Sequence, residues 1–208
     1  MVEVSVAVFD VDKTLTVRDC VVPFVLKVAG RARVAMVVLK HLPTVITLMR
    51  RRDRDGIKVF FVRQLFSGRS VEDVEAIGTS FAAMVANHWM RSDVAQRFRW
   101  HQSEGHVVVL VSASLDAYLM TFGDLIEADA VICTTLEAKD GVYTGELVGA
   151  NCRGIEKVSR IRQWCDESGF SADSIHFAYG DSRGDEPMIH MARTGVWVGK
   201  NDLEVMPA

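Results

Sequence analysis

An apolar run near the start of the chain ends in Phe9-Asp10-Val11-Asp12-Lys13-Thr14. Residues i and i+2 of an extended segment project to the same side, so the side chains of Asp10 and Asp12 are expected to converge. Two carboxylates at one place repel unless a cation or a proton compensates. Taken alone, the pair also fits a polar turn, because Asp and Thr favour turns. A second acidic pair stands far down the chain, in Tyr179-Gly180-Asp181-Ser182-Arg183-Gly184-Asp185. Asp181 directly follows an apolar run, and Asp185 opens a helical one. If the two runs end side by side, the acids form a cluster of hard oxygen donors. Such a cluster suits Mg²⁺, which keeps several waters and shares its coordination sphere with a substrate phosphate. Val111-Ser112-Ala113-Ser114 ends a further apolar run and offers hydroxyls and loop amides to anionic oxygens. Lys157 falls near a predicted helix start, where a cation opposes the macrodipole unless it reaches an anion.

These groups need a scaffold that gathers strand ends. Short runs at 4–9, 106–111, 130–133, 175–179 and 194–198 read as parallel strands, the first apolar on both faces as if covered by helices. Helical stretches at 116–126, 155–168 and 185–192 separate most of them. The alternation predicts an α/β fold, a Rossmann-like doubly wound parallel sheet with right-handed crossovers, which binds ligands at the carboxyl ends of its strands. Within 136–148, Asp140-Gly141 between two β-prone runs predicts a hairpin. Residues 17–101 show no convincing strand. Val71, Val74, Ile77, Phe81 and Met84 recur there at helical spacing, after a Ser70 cap with Glu72 and Asp73 in the first turn. The expected organisation is therefore an α/β core of residues 1–16 and 102–208, with an α-helical cap of residues 17–101 inserted after the first strand. Gly56 and Gly68 are expected to break helices in the cap, and Arg50 to Asp55 to form a solvated turn.

The chain has 208 residues, 49% hydrophobic and 25% charged, the balance of a protein with a packed core. Lys and Arg total 24 against 27 Asp and Glu, a net charge of -3, which argues against nucleic acid as the main partner. Cys20, Cys133, Cys152 and Cys165 form no CxxC pair and read as buried thiols of a reducing compartment. His41, His88, His101, His106, His176 and His190 form no zinc-ligand pattern. The first ten residues carry neither a basic leader nor a small-residue cleavage site, so a cytoplasmic protein is expected.

The order DxDxT, a hydrophobic strand ending in Ser, Lys, then GDSxxD resembles the haloacid dehalogenase superfamily. The helical insertion directly after DxDxT is similar to its phosphoserine-phosphatase-like branch. The motifs span Asp10 to Asp185, nearly the whole chain. The resemblance implies Asp10 as nucleophile, Asp12 as general acid and base, and Ser112 and Lys157 as holders of the phosphoryl group. It implies Mg²⁺ bound by Asp10, the Asp12 carbonyl and Asp181, with Asp185 and Thr14 in support. The activity implied is hydrolysis of a small phosphorylated metabolite, phosphoserine-like or another phosphorylated alcohol, through an aspartyl phosphate. This chain departs from the pattern in having Lys13 where many relatives have Gly, and Gly184 where phosphoserine phosphatases have Asn. Asp19 stands where they carry a cap Glu for the substrate amine, and the shorter acid speaks against phosphoserine itself. The chain also ends soon after Asn201-Asp202-Leu203, early for this branch.

Asp19, Lys58 and Arg63 are the cap residues expected to meet the leaving group, with Arg63 the better shaped for a planar carboxylate or phosphate. The apolar stretch 34–49, followed by Arg50, Arg51 and Arg52, admits a second reading. It could lie in a membrane interface and present a phospholipid-derived head group to the site. A cap core or a homodimer face would use the same residues. From another class, a non-hydrolytic phosphoaspartate signalling domain would also combine Asp, Lys and Mg²⁺ on an α/β sheet. It would need neither the large cap nor Asp12.

Overall fold

The computed structural model describes residues 4–199; the Asn201–Leu203 segment lies outside them. Six strands, β1 (Val6–Phe9), β2 (Val107–Leu115), β3 (Ala130–Lys139), β4 (Val142–Val148), β5 (Ile175–Gly180) and β6 (Thr194–Trp197), form one sheet. Its order is β4-β3-β2-β1-β5-β6. Only β3–β4 pair antiparallel. They are joined by a two-residue turn at Asp140 (φ 52°) and Gly141 (φ 77°), the geometry that an Asp-Gly hairpin requires. The order runs outward in both directions from β1, so the chain's topological switch lies at the strand that carries Asp10.

Alternation along each strand divides the core into two layers. Ala7, Phe9, Val108, Leu110 and Tyr179 pack on one face under α6 (Ser92–Ser103) and α7 (Asp116–Leu125). Val6, Val8, Val109, Val111 and Ala178 face α8 (Ile155–Ser168) and α9 (Glu186–Met191) on the other. Phe9 stacks flat on Tyr179, with centroids 4.3 Å apart. The Tyr179 hydroxyl bonds buried His101 of α6 (2.9 Å). The stretch 17–101 therefore contains a helix, α6, that packs directly on the sheet.

Five helices precede α6: α1 (Val21–Ala29), α2 (Arg31–Lys40), α3 (Leu42–Arg51), α4 (Arg54–Phe66) and α5 (Val71–His88). The segments leading into and out of this block are tied together. Val17 N–H donates to the Trp89 carbonyl and Arg91 N–H to the Leu15 carbonyl, each at 2.8 Å. Ser70 caps α5 by accepting from Asp73 N–H (3.2 Å). The α4–α5 link pairs with the hairpin turn, Gly68 N–H donating to the Tyr143 carbonyl (2.8 Å). Gly56 does not break a helix as expected. It lies in the first turn of α4, where its N–H donates to the Asp53 cap (2.8 Å). The break falls instead at Arg52 and Asp53, inside the charged run, with Arg52 at φ 54°. Among the described residues no single helix is long and apolar enough to cross a membrane.

α5 crosses α7 at Gly78, where an added Cβ would sit 1.8 Å from the Ala117 carbonyl oxygen. Gly78→Ala must push the helices apart and is expected to cost about 1–3 kcal/mol. An unchanged chemical-denaturation midpoint would contradict this close approach.

Candidate active site

Asp10 continues β1, and its N–H donates to the Tyr179 carbonyl of β5 (2.9 Å). This bond brings the first acidic motif beside the second. The chain then leaves the strand through a tight turn over Val11–Leu15, in which Lys13 takes φ 63°. A side chain in this region costs roughly 1–2 kcal/mol. Thr16 holds the turn, accepting from Lys13 N–H (3.3 Å) and donating to the Arg18 carbonyl (2.7 Å).

Lys157, in the first turn of α8, uses all three of its protons. It donates to Asp10 Oδ1 (2.7 Å), Asp185 Oδ1 (2.6 Å) and the Val111 carbonyl (2.7 Å). Burial alone would depress its ammonium, but Asp10 and Asp185 hold it above its ordinary range. The second Asp185 oxygen accepts from the Ser182 N–H (3.0 Å) and hydroxyl (2.7 Å). Burial is the main force on Asp10. Lys157 opposes it, Asp185 and Asp12 reinforce it, and the carboxyl is raised from 3.8 to about 7. Asp181 is half-buried and is likewise pushed up, by burial and by Asp185.

Carboxylate oxygens of Asp10, Asp181 and Asp185 all lie within 4.8 Å of one another. Three acids share one ammonium, so the cluster holds more negative charge than its own cation balances. An all-oxygen donor set with that imbalance fits a divalent cation of the Mg²⁺ type.

Asp12 lines the same cavity and has hydrogen-bond partners of its own. Oδ1 accepts from Cys20 N–H (2.7 Å), and Oδ2 accepts from the Ser114 hydroxyl (2.6 Å), which in turn receives the Tyr118 hydroxyl (2.6 Å). Asp10 and Asp12 line one cavity, although β1 ends at Phe9 and Asp12 lies in the turn that follows it. Burial, with Asp19 nearby, raises the Asp12 carboxyl above its usual range. Ser112 is buried at the cavity, accepting from Ser114 N–H (3.1 Å). Thr14 is fully buried.

The cavity is about 570 Å³. One end carries the acids, Lys157 and Ser112, and the other is walled by apolar residues of α1, α2 and α4. Asp19 and Lys58 both line it. Lys58 donates to the Ala113 carbonyl and to Asn151 Oδ1 (2.7 Å), and burial lowers its ammonium to about 8 despite the Asp12, Asp55 and Asp19 carboxylates nearby. Arg63 does not reach the cavity. It is paired with Glu146 of β4 (2.6 Å) and half exposed. Five residues beyond Lys58, it points about 140° away around α4, whereas Arg54, Ile57, Lys58, Phe61 and Val62 share the cavity face.

Sequence reasoning missed Arg54, Asn151 and Arg153, which also line the cavity. Arg54 was hidden in the charged run taken as a solvated turn. Asn151 and Arg153 lie in the loop before α8. That loop follows a hairpin, so its position at the sheet's carboxyl edge depends on strand order. The polar cluster Asn151-Cys152-Arg153-Gly154 just before Lys157 was the available signal.

The chain matches the haloacid dehalogenase-like hydrolase family over residues 7–190. It belongs to that family. This hydrolase is similar to Protein CicA of Caulobacter vibrioides, 36% identical over 186 residues, 88% of this chain and 81% of CicA. Its fold is that of a protein of unknown function from Bordetella pertussis Tohama I (TM-score 0.75, 23% identity, 90% and 86% of the two chains). It is also that of a phospho-aspartyl intermediate analogue of phosphoserine phosphatase (TM-score 0.61, 18% identity, 91% and 84%).

The proton held on folded Asp10 sets a pH dependence for the metal-free hydrolase. Its folded value, about 7, lies above the ordinary 3.8, so the contribution is complete below 3.8 and lost as pH rises through about 7. Lys157→Met leaves Asp10 and Asp185 facing one another without their cation. It is expected to cost about 3–5 kcal/mol at neutral pH, with part of the loss recovered on mild acidification as the carboxyls take up protons. Denaturant midpoints measured across pH check both directions; a midpoint equal to wild type at neutral pH would contradict the clamp.

Proposed function

We propose that this hydrolase is a Mg²⁺-dependent phosphatase that cleaves a phosphorylated alcohol through an aspartyl phosphate on Asp10. The observation that carries this reading is the placement of Asp10 against the Lys157 ammonium and within an acidic trio, in a cavity that also holds Asp12. Asp10, Asp181 and the Asp12 carbonyl would hold the ion, with Asp185 fixing Lys157 or joining them. Bound there, the ion offsets repulsion between carboxylate and phosphate.

Asp10 attacks phosphorus, the phosphorus–oxygen bond to the alcohol breaks, and the raised carboxyl of Asp12 gives its proton to the departing oxygen. Water then attacks phosphorus in the acyl phosphate and loses a proton to Asp12. Phosphate leaves, and the Asp10 carboxylate is restored. Lys157 and Ser112 stabilise the phosphoryl oxygens as charge moves onto them. Ser114 and Cys20 N–H orient Asp12. A signalling domain that only stores phosphate on Asp10 has no use for a second buried acid in the cavity, and Asp12 therefore favours turnover. Four buried free thiols support a cytoplasmic setting.

Phosphate release from a panel of phosphomonoesters, p-nitrophenyl phosphate included, tests the proposal. Turnover is expected with Mg²⁺, is abolished by EDTA, and falls by about a thousandfold or more in Asp10→Asn. Full activity in Asp10→Asn would exclude Asp10 as nucleophile. A single phosphorylation event without turnover would favour the signalling domain.

A further inference from the structure

Between Lys27 and Arg52 the chain carries seven Lys and Arg residues and no Asp or Glu, in a protein of net charge -3. That segment folds into α2 and α3, which make an unusually bare element. α2 has no buried residue and α3 has only Val45. Met36 (64% exposed), Leu39 (73%), Leu42, Ile46 and Met49 (63%) stand on the outside of the protein. On α3 the three apolar residues recur at i, i+4 and i+7, which makes a stripe along one side of the helix. Arg31, Arg33 and Lys40 bracket α2, and Arg50, Arg51 and Arg52 close α3. Apolar residues in the middle with cations at the margins are the pattern of a helix that lies in a lipid–water interface.

The same helices lead inward. The apolar wall of the cavity is built by Val22, Val25, Leu26, Val34, Ile57 and Phe61, and Val34 belongs to α2. A phosphorylated amino acid or sugar would leave that wall against a polar leaving group. A hydrocarbon-bearing alcohol would cover it.

We infer that α2 and α3 are a docking surface for an anionic lipid bilayer, and that the cavity takes a phosphomonoester carried on a lipid of that bilayer. The inference rests on the phosphatase reading for its chemistry, and on α2 and α3 for its location. Charge selects the occupant. In a two-fold contact with a second copy, a surface of cations without a single acid would meet its own cations, whereas an anionic membrane attracts each one. The helices meet at a bend of 86°, with Lys40 and His41 at the corner.

Two measurements on the full chain separate docking from chemistry. Flotation uses vesicles of phosphatidylcholine alone and of phosphatidylcholine with phosphatidylglycerol. Hydrolysis compares vesicle-borne phosphatidic acid with glycerol phosphate and p-nitrophenyl phosphate in solution. The wild type is expected to float only with the anionic vesicles, less so at high salt. It should also cleave phosphatidic acid with a kcat/KM at least about tenfold above glycerol phosphate. The double variant Ile46→Asp, Met49→Asp is expected to lose flotation and the preference for phosphatidic acid, while p-nitrophenyl phosphate turnover is unchanged. The triple variant Arg50→Gln, Arg51→Gln, Arg52→Gln gives the same direction through charge alone, should the double variant fold poorly. Wild type that turns over p-nitrophenyl phosphate but stays behind the vesicles overturns the inference and leaves the phosphatase standing. Flotation without turnover of any ester would instead overturn the chemistry on which the inference rests. A dimer dissociated by Ile46→Asp, Met49→Asp, without flotation of the wild type, would assign the surface to a second copy.

Discussion

One buried ammonium organises this protein. Lys157 ties together the end of β1 through Asp10, the middle of β2 through the Val111 carbonyl, and the loop after β5 through Asp185. Taking a charge that deep out of water costs several kcal/mol, and it is offset only because every proton of the ammonium finds an oxygen. The two carboxylates are held together by the same cation, since either pair of acids alone would repel. Sheet order, the helix start that carries Lys157 and the tight turn after Asp10 all serve this one junction. Burial, reinforced by Asp185 and Asp12, raises Asp10, and the negative charge left over fits the site for a further cation.

Asp12 works against a different background. It is held by the Cys20 N–H and the Ser114 hydroxyl. The two aspartates of one short motif thus have separate surroundings, one beside a fixed ammonium and one among neutral donors. Environments that separate two carboxyls in this way allow one to act as nucleophile while the other handles protons. Lys13 takes positive φ directly after Asp12, in the tight turn that leads the chain away from the strand.

Much of this was legible in the sequence because it depends on local pattern. The apolar runs gave the strands, and Asp140-Gly141 gave the hairpin. Lys157 could be picked out because a lysine at a helix start has no good local partner. What escaped depended on the third dimension. Arg63 was expected at the cavity, and a rotation of 140° about α4 sends it to Glu146 instead. Arg54 reaches the cavity from the first residue of α4, inside a charged run that hides the helix start, and Arg153 from a loop where no periodicity announces a direction. Gly56 looked like a helix break and is part of a capped first turn, since Asp53 satisfies its N–H.

The central claim is that Asp10 carries the phosphoryl group during turnover. Enzyme quenched in acid during turnover of p-nitrophenyl phosphate, reduced with borohydride and digested, tests it by mass spectrometry. Reduction of an acyl phosphate on Asp10 converts that residue to homoserine, and the account predicts this product at position 10 and at no other aspartate. Active enzyme that yields no modified residue, or that yields it at Asp12 or Asp181, would contradict the account.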